Sequence, residues 1–475
     1  MTAPTVPPTT NPPFDQLDAK IKEGMHDYGI PGVAVGVVYN DMRSVSSYGV
    51  TNVDYPQPVD DHTVFRIGST TKTFTGTTMM RLVDQGLVDL DAPVRHYIPD
   101  FAVADESVSA AVTVRHLLNH TSGWNGDDVQ DFGRGDDAIA GYVSAMTNMP
   151  QLTPLGTVFA YNNAGLVVAG RIIEKVTGTT YESAVQKLLL DPLKMTSTYY
   201  FSDQIIGSNV AAPHDVDDAG QPVVSKEFWY FPRSCHSTGG LMSTVEDQLR
   251  YLRFHLGDGT TPDGTRLLKP ESLAAMRSNP GAGGTLQVEL TGMGVTWMLR
   301  PSIDNVSRRN VTIVQHGGTW AGQHSGFFMV PEKRFAMTVL TNSEGGTQLL
   351  NDLYASDSIL NSFAGISNLP APRKSPDPAP YVGQYIGHET DLSGEVAPIT
   401  VDWKAGDKQL VGTMVSGDDP PEKIGFAFYD SVFGPDYGLD LDENNKETGT
   451  RSDFLRGPDG KIAWFRSHGR LYQRQ

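Results

Sequence analysis

Strand-forming residues crowd both ends of the first 365 positions and give way to helix and loop between them, and this placement limits the fold more than any other feature. Runs at 33–39 and 45–50, split by the polar turn Asn40-Asp41-Met42-Arg43, read as a hairpin. A helix over 14–28 precedes it, with Leu17, Ile21 and Met25 on one stripe and Gly29 and Pro31 at its end. Strand signals return at 311–314, 327–330 and 335–340, followed by a last helix over 349–363. The clearest helices between lie at 70–84, 167–176, 181–190 and 246–256. This order predicts an α+β fold: one antiparallel sheet built from both ends of the segment, flanked by helices, with a helical subdomain inserted.

Pro370, Pro372, Pro376, Pro378 and Pro380 then form a semi-rigid linker. Short β-type runs at 399–401, 426–429 and 462–465, separated by Gly, Asp and Asn turns, predict an all-β module that closes its own edges as a barrel. The expected organisation is a Pro/Thr-rich tail over 1–14, a main domain over 15–368, a linker over 369–380 and the barrel over 381–475.

Composition excludes several partners. Formal charge is −18, and no run of Lys and Arg offers the footprint that nucleic acid needs. An acidic surface disfavours anionic membranes, and no apolar run is long enough to span one. Residues 1–13 show neither a basic nor an apolar signal-peptide region, so a cytoplasmic location is expected unless a leader has been removed. Cys235, the single cysteine, excludes an intrachain disulfide and a Cys-rich zinc site, and reads as structural or as a reactive thiol. His116 and His120 have metal-pair spacing on a helix, but no third ligand is evident; neither metal nor cofactor is expected.

Three short motifs carry chemistry. Ser69-Thr70-Thr71-Lys72 opens a helix after Gly68, which puts Ser69 and Lys72 on one face, where unpaired N–H groups and the helix dipole converge. Such a serine can attack a carbonyl while its own N–H holds the oxyanion. Lys72 serves either as a neutral base or as a cation that stabilises the alkoxide. The plain alternative is an N-capping serine beside a surface lysine. Tyr161-Asn162-Asn163 is the second motif: Tyr161 can act as general base or acid, and Asn163 can orient Lys72 and the substrate carbonyl. Alternatively Tyr161 packs in the core and Asn163 caps a helix beginning at Ala164. In the third, His316-Gly317-Gly318-Thr319, a histidine at the end of an edge strand precedes two glycines that let a ligand approach the backbone. The Thr319 N–H is then a second oxyanion donor.

In this order the motifs resemble those of the serine β-lactamase and penicillin-binding-protein superfamily, and Tyr-x-Asn is similar to class C β-lactamases with their esterase and D-aminopeptidase relatives. Ile30-Pro31-Gly32, Phe65-Arg66-Ile67-Gly68, the stretch from Leu117 to Gly123 and Gly239-Gly240-Leu241 agree, and the resemblance covers about residues 15–365. It implies Ser69 as acylated nucleophile, Lys72 and Tyr161 as the proton-transfer pair, Asn163 as a substrate and lysine contact, and Ser69 and Thr319 N–H as the oxyanion hole. His316 takes the third-motif place, where β-lactamases and DD-peptidases usually carry a carboxylate-binding lysine. That departure resembles esterases and D-aminopeptidase-like amidases, in which histidine can bond the tyrosine. The C-terminal module is similar to lipocalin-like domains appended to such hydrolases. Gly317, Gly318, Trp124, Asp127, Asp128, Trp229, Tyr230 and Phe231 fall near the implied cleft, as lining or as loop anchors. The expectation is a cofactor-free serine hydrolase of small-molecule or peptide esters or amides, with acyl transfer to an amine as a variant and oligomeric state left open. β-Lactamase or DD-peptidase activity is the first alternative and an inactive binding scaffold the second.

Overall fold

The computed structural model describes residues 12–475 except 40, 41, 127, 128, 218, 227, 228, 279, 280, 356, 391, 393 and 418. The N-terminal helix α1 (Pro12–Asp27) leads into strands β1 (Gly32–Tyr39) and β2 (Met42–Gly49). Helix α2 (Thr71–Asp84) follows, then α3 (Asn163–Thr177) and α4 (Val245–Leu256). Strands β3 (Met298–Asp304), β4 (Asn310–Trp320), β5 (Gln323–Val330) and β6 (Phe335–Thr341) come next. The segment ends with helices α5 (Gly346–Ala355) and α6 (Asp357–Ala364) and strand β7 (Ile366–Asn368). The sheet runs in the order β7-β3-β4-β5-β6-β1-β2, all antiparallel, so the N-terminal hairpin docks beside β6 as the sequence pattern predicts.

β1 reads GVAVGVVY without alternation because both faces of the sheet are covered. On one face α4 packs so closely on Gly36 that a Cβ there would lie 2.7 Å from Leu249. On the other, α1, α5 and α6 bury Leu17, Ile21, Leu353 and Phe363 against β1, β5 and β6. The helix expected over 349–363 is two helices, α5 and α6. α2 is buried on every side despite its many threonines, residues of modest helix propensity. Several of its hydroxyls are satisfied by backbone carbonyls: Thr77 Oγ1 donates to the Thr73 carbonyl at 2.9 Å, and Thr75 Oγ1 to that of Ser237 at 2.7 Å.

The C-terminal strands, β8 (Gly383–Thr390), β9 (Val396–Ala405), β10 (Leu410–Ser416), β11 (Glu422–Phe428), β12 (Tyr437–Leu441), β13 (Glu447–Arg456), β14 (Ile462–Ser467) and β15 (Arg470–Arg474), close into a barrel. Tyr385, Trp403, Phe426, Phe454 and Phe465 fill its centre, so it is a packed core and not a ligand-carrying lumen. The proline-rich segment is pinned along the barrel by Lys374 N to Phe428 O and Asp430 N to Pro372 O, both 2.9 Å. A buried bidentate pair, Arg466 with Asp453, ties the barrel to the main domain: Arg466 Nη1 donates to Phe159 O at 2.7 Å, and Thr285 Oγ1 donates to Asp453 at 2.6 Å. Among the described residues, no helix is long and apolar enough to cross a membrane.

Candidate active site

A 3-10 turn, Gly68–Thr70, presents Ser69 just ahead of α2, and Lys72 follows in the helix's first turn. Lys72 is fully buried, and its Nζ donates to Ser69 Oγ at 2.9 Å and to the Thr238 carbonyl at 2.8 Å. Two glycines bring this turn against β4. Gly68 has φ +48°, and a Cβ on it would lie 2.6 Å from Thr319 N. A Cβ on Gly318 would lie 1.9 Å from Ile67 O and 2.7 Å from Ser69 N. The Ser69 and Thr319 amides therefore share one small region, and no residue larger than glycine fits between them.

His316 does not end a strand, and its strand is not a sheet edge: β4 continues through both glycines, with Gly317 paired to Gly326 on β5. β3 pairs with β4 only as far as Gln315, so on that side residues 316–320 of β4 form an open rim. Glycines lack the apolar pattern that marks a strand, and the neighbouring β5 holds the register instead. His316 is buried, its Nδ1 2.6 Å from the Gly317 carbonyl; its Nε2 has no hydrogen-bond partner among the described residues. Burial and the nearby Lys72 push its pKa down to about 3, so the imidazole is neutral near neutrality.

Tyr161 lies between these groups. Lys72 Nζ sits 4.9 Å from its ring centroid, and the His316 ring is 6.3 Å away. His120 stacks on Tyr161 at 4.6 Å, its pKa held well below the usual value by burial, then by Lys72 and His316. The sequence marks His120 by its spacing from His116 and by its place in the Leu117–Gly123 stretch, and the spacing is not helical: the helix ends at Leu118, and His120 has φ 57°. His120 Nδ1 instead accepts from Asn162 N at 2.9 Å. Asn162, not Asn163, caps α3, its side chain accepting from Gly165 N at 2.7 Å. Asn163 is thereby free of the capping role and lines the cleft.

One continuous cavity of about 730 Å³ is lined by Ser69, Tyr161, Asn163, Gly317, Gly318, Thr319 and Phe231. Trp124, Trp229 and Tyr230 are not among its lining residues, which corrects the expectation that they face substrate. Trp124 is core, its Nε1 donating to Asn162 Oδ1 at 3.0 Å. Trp229 donates to the Ser225 carbonyl, and Tyr230 stacks under Arg134. Asp127 and Asp128 lie outside the described residues. Cys235 is buried.

The resemblance to hydrolases with an appended lipocalin-like domain implies a module that reaches the active-site mouth, but no motif marks which of its residues do so. The turn between β14 and β15 reaches the site: Gly469 O accepts from Tyr161 N at 2.8 Å, and the Arg470 guanidinium lies 4.9 Å from the Tyr161 ring centroid. His468 and Arg470 line the cavity, as do Glu389 and Thr390 of β8. Ser69, Tyr161 and the Thr319 strand thus share one opening, with the buried Lys72 amine bonded to Ser69 Oγ and the buried His316 ring behind it, 6.3 Å from that of Tyr161: these are groups that acyl transfer can use.

Residues 17–359 match the sequence model of the Beta-lactamase family. Penicillin-binding protein 4 of Amycolatopsis lactamdurans is 34% identical over 367 residues, covering 76% of this chain and 94% of that one. Among solved structures, SurE superposes with a TM-score of 0.74 at 24% identity over 98% of this chain and 99% of its own, and it has also been solved with D-Leu. A class C beta-lactamase matches 74% of this chain and 94% of its own at 23% identity, with a TM-score of 0.57.

Proposed function

The chain belongs to the Beta-lactamase family, whose fold and relatives support serine hydrolysis or acyl transfer in general, and on that premise we propose that it cleaves small-molecule or peptide esters or amides through an acyl-enzyme on Ser69. The observation that carries this reading is the 2.9 Å contact of Lys72 Nζ with Ser69 Oγ inside a cavity also lined by Tyr161 and the Gly318 strand. Ser69 Oγ attacks the carbonyl carbon, and the amides of Ser69 and Thr319 hold the oxygen as it becomes negative. Tyr161, coupled to Lys72, passes the serine proton to the leaving group. Water, or an amine where water is excluded, then displaces the acyl group and restores the hydroxyl.

The neutral His316 supports an esterase or amidase over a β-lactamase, because it offers no charge to a substrate carboxylate where a lysine would. The penicillin-binding relative favours DD-peptidase chemistry as the second reading. The neighbour solved with D-Leu supports including D-configured substrates in the test. That test is a turnover panel of nitrophenyl esters, D- and L-aminoacyl anilides and a coloured cephalosporin, run beside a fluorophosphonate probe read by mass at Ser69. Ester or anilide turnover with a labelled Ser69 is expected. Preferential cephalosporin turnover would move the assignment to the second reading, and a folded chain with unlabelled Ser69 would leave only a binding scaffold.

Gly318→Ala tests the oxyanion site. The added methyl collides with Ile67 O and pushes the two amides apart, so kcat should fall by about 10²–10³ with a smaller change in KM. Steady-state kinetics on the best ester measures this; activity within a few-fold of wild type would show that these amides do not hold the oxyanion.

A further inference from the structure

We propose that the end of the cavity remote from Ser69 is an anion subsite, where the Arg300 guanidinium binds a carboxylate carried by the substrate. The proposal rests on the hydrolase reading above and extends it to the far end of the substrate.

Arg300 lies on β3 and is only 7% exposed, yet no described carboxylate pairs with it. Its hydrogen bonds to the described residues both run from Nη2, to the Tyr354 carbonyl at 3.2 Å and to Asn368 Oδ1. Nε and Nη1 have no acceptor among the described residues. The carboxylates nearby are engaged elsewhere. Glu289 pairs with Arg451 at 2.7 Å and accepts from Ser431, and Asp357 accepts from Asn368 N and Nδ2 at 2.9 and 3.0 Å. Arg451 adds a second guanidinium to the same wall. Tyr354 also lines it, and its buried hydroxyl has no partner among the described residues. Burial draws the Arg300 pKa down to about 10, which still leaves the group charged at neutral pH.

A buried cation with no described carboxylate in direct contact, Asp357 and Glu289 acting on it only at a distance, is costly to keep, and packing alone would be served by an apolar side chain. A carboxylate delivered by the substrate supplies the missing charge and takes up the idle donors, in the two-pronged geometry that guanidinium favours. The cavity is continuous from Ser69 to Arg300. Arg300 pairs across the ladder with Ile313, six positions before Thr319 on β4, or roughly 20 Å along the strand. An extended peptide of about six residues spans that length.

The test uses the full chain and two matched series of peptide esters, two to seven residues long and built in both orientations. One series carries a succinyl carboxylate at the end remote from the ester, the other the isosteric neutral amide. The readout is the ratio of kcat/KM for acid-capped over neutral-capped esters, so a general loss of activity cancels. A ratio of about 10–100 is expected near six residues, falling to about one at the shortest length. Arg300→Met should bring the ratio to one, and Arg300→Lys should retain part of it. Calorimetric Kd values for the two peptides without the ester give the same ratio independently of turnover and of whether a variant folds. Equal kcat/KM for both caps at every length in wild type, or a preference that survives R300M, overturns the subsite. Absence of turnover for both series with an unlabelled Ser69 overturns the hydrolase reading instead, and the Kd ratio then decides the subsite.

Discussion

Ser69→Ala should remove essentially all turnover, lowering kcat on the best ester by about 10⁴–10⁶ while the chain stays folded. The size follows from the chemistry: without the hydroxyl no acyl-enzyme forms, and only the amides and the cavity remain to favour direct attack by water. The fold survives because the deletion strands nothing. Lys72 Nζ loses one acceptor but keeps the Thr238 carbonyl at 2.8 Å, and Ser69 lies in a turn whose shape is set by Gly68 and Gly318. Tyr161→Phe is the companion experiment. It removes only the phenol oxygen and leaves the stack on His120, the Lys72 and Arg470 contacts to the ring, and the backbone bond to Gly469. A loss of about 10²–10⁴ in kcat with little change in KM is expected. Steady-state kinetics, circular dichroism and thermal melting read both variants. Near-normal kcat in Y161F would assign the proton transfer to Lys72 alone, and near-normal kcat in S69A would remove the acyl-enzyme altogether.

The two halves of this site were unequally legible. Ser69, Lys72, Tyr161 and Asn163 stand in short motifs because the chemistry fixes their spacing along one helix or one turn. For Trp124, Trp229 and Tyr230 the sequence leaves both readings open, because aromatic residues in a loop look alike whether they face a cleft or anchor the loop to a core; the bond to Asn162 shows which Trp124 does. The sequence pattern puts His316 at a strand end because Gly317 and Gly318 break the apolar run, yet the ladder passes through them. Arg470, Gly469 and Arg300 were invisible for a different reason. Their roles arise from contacts between residues far apart in the chain, and no local pattern encodes where such segments come to rest. The antiparallel sheet, by contrast, was readable because a two-sided core forces continuous apolar runs at both ends of its segment.

The barrel's docking changes how the site should respond to substitution. Arg466 binds Asp453 and the Phe159 carbonyl, and Gly469 binds the Tyr161 amide, so the segment that carries the phenol is held from the C-terminal side. The space at Gly284 is equally committed: a Cβ there would lie 2.2 Å from the Arg466 guanidinium carbon. The active site is therefore assembled by two modules, and the geometry of Tyr161 depends on both.

Mild acid should destabilise the fold before any carboxylate pair is broken. His120, His255 and His316 are buried and held below their ordinary range, chiefly by loss of solvent, His316 to about 3. Well above pH 6.5 these groups are neutral in both folded and unfolded chains and do not affect the balance. Below it the unfolded chain takes up protons that the folded one refuses, so stability is lost as pH falls from the unfolded value toward the folded ones. Each such proton is worth about 1.4 kcal/mol per pH unit. Asp440, Glu174 and Asp247 act in the opposite sense: burial raises their pKa values, Asp440's to about 6, so the folded chain gains protons in the same interval. His468, drawn down to about 4, and His116, His214 and His236, lowered chiefly by burial, act in the same sense, and the histidines together outweigh these partial offsets by about 3–4 kcal/mol between pH 6 and 5. Urea midpoints measured at pH 8.5, 7.5, 6 and 5 should be level across the first interval and fall across the other two. His255→Asn, far from the cleft and bonded to Thr77 and not to substrate groups, should flatten that fall by about one proton's share. Midpoints that stay level or rise from pH 6 to 5 would mean that the buried imidazoles accept protons in the folded chain, and with them that His316 carries charge beside Lys72.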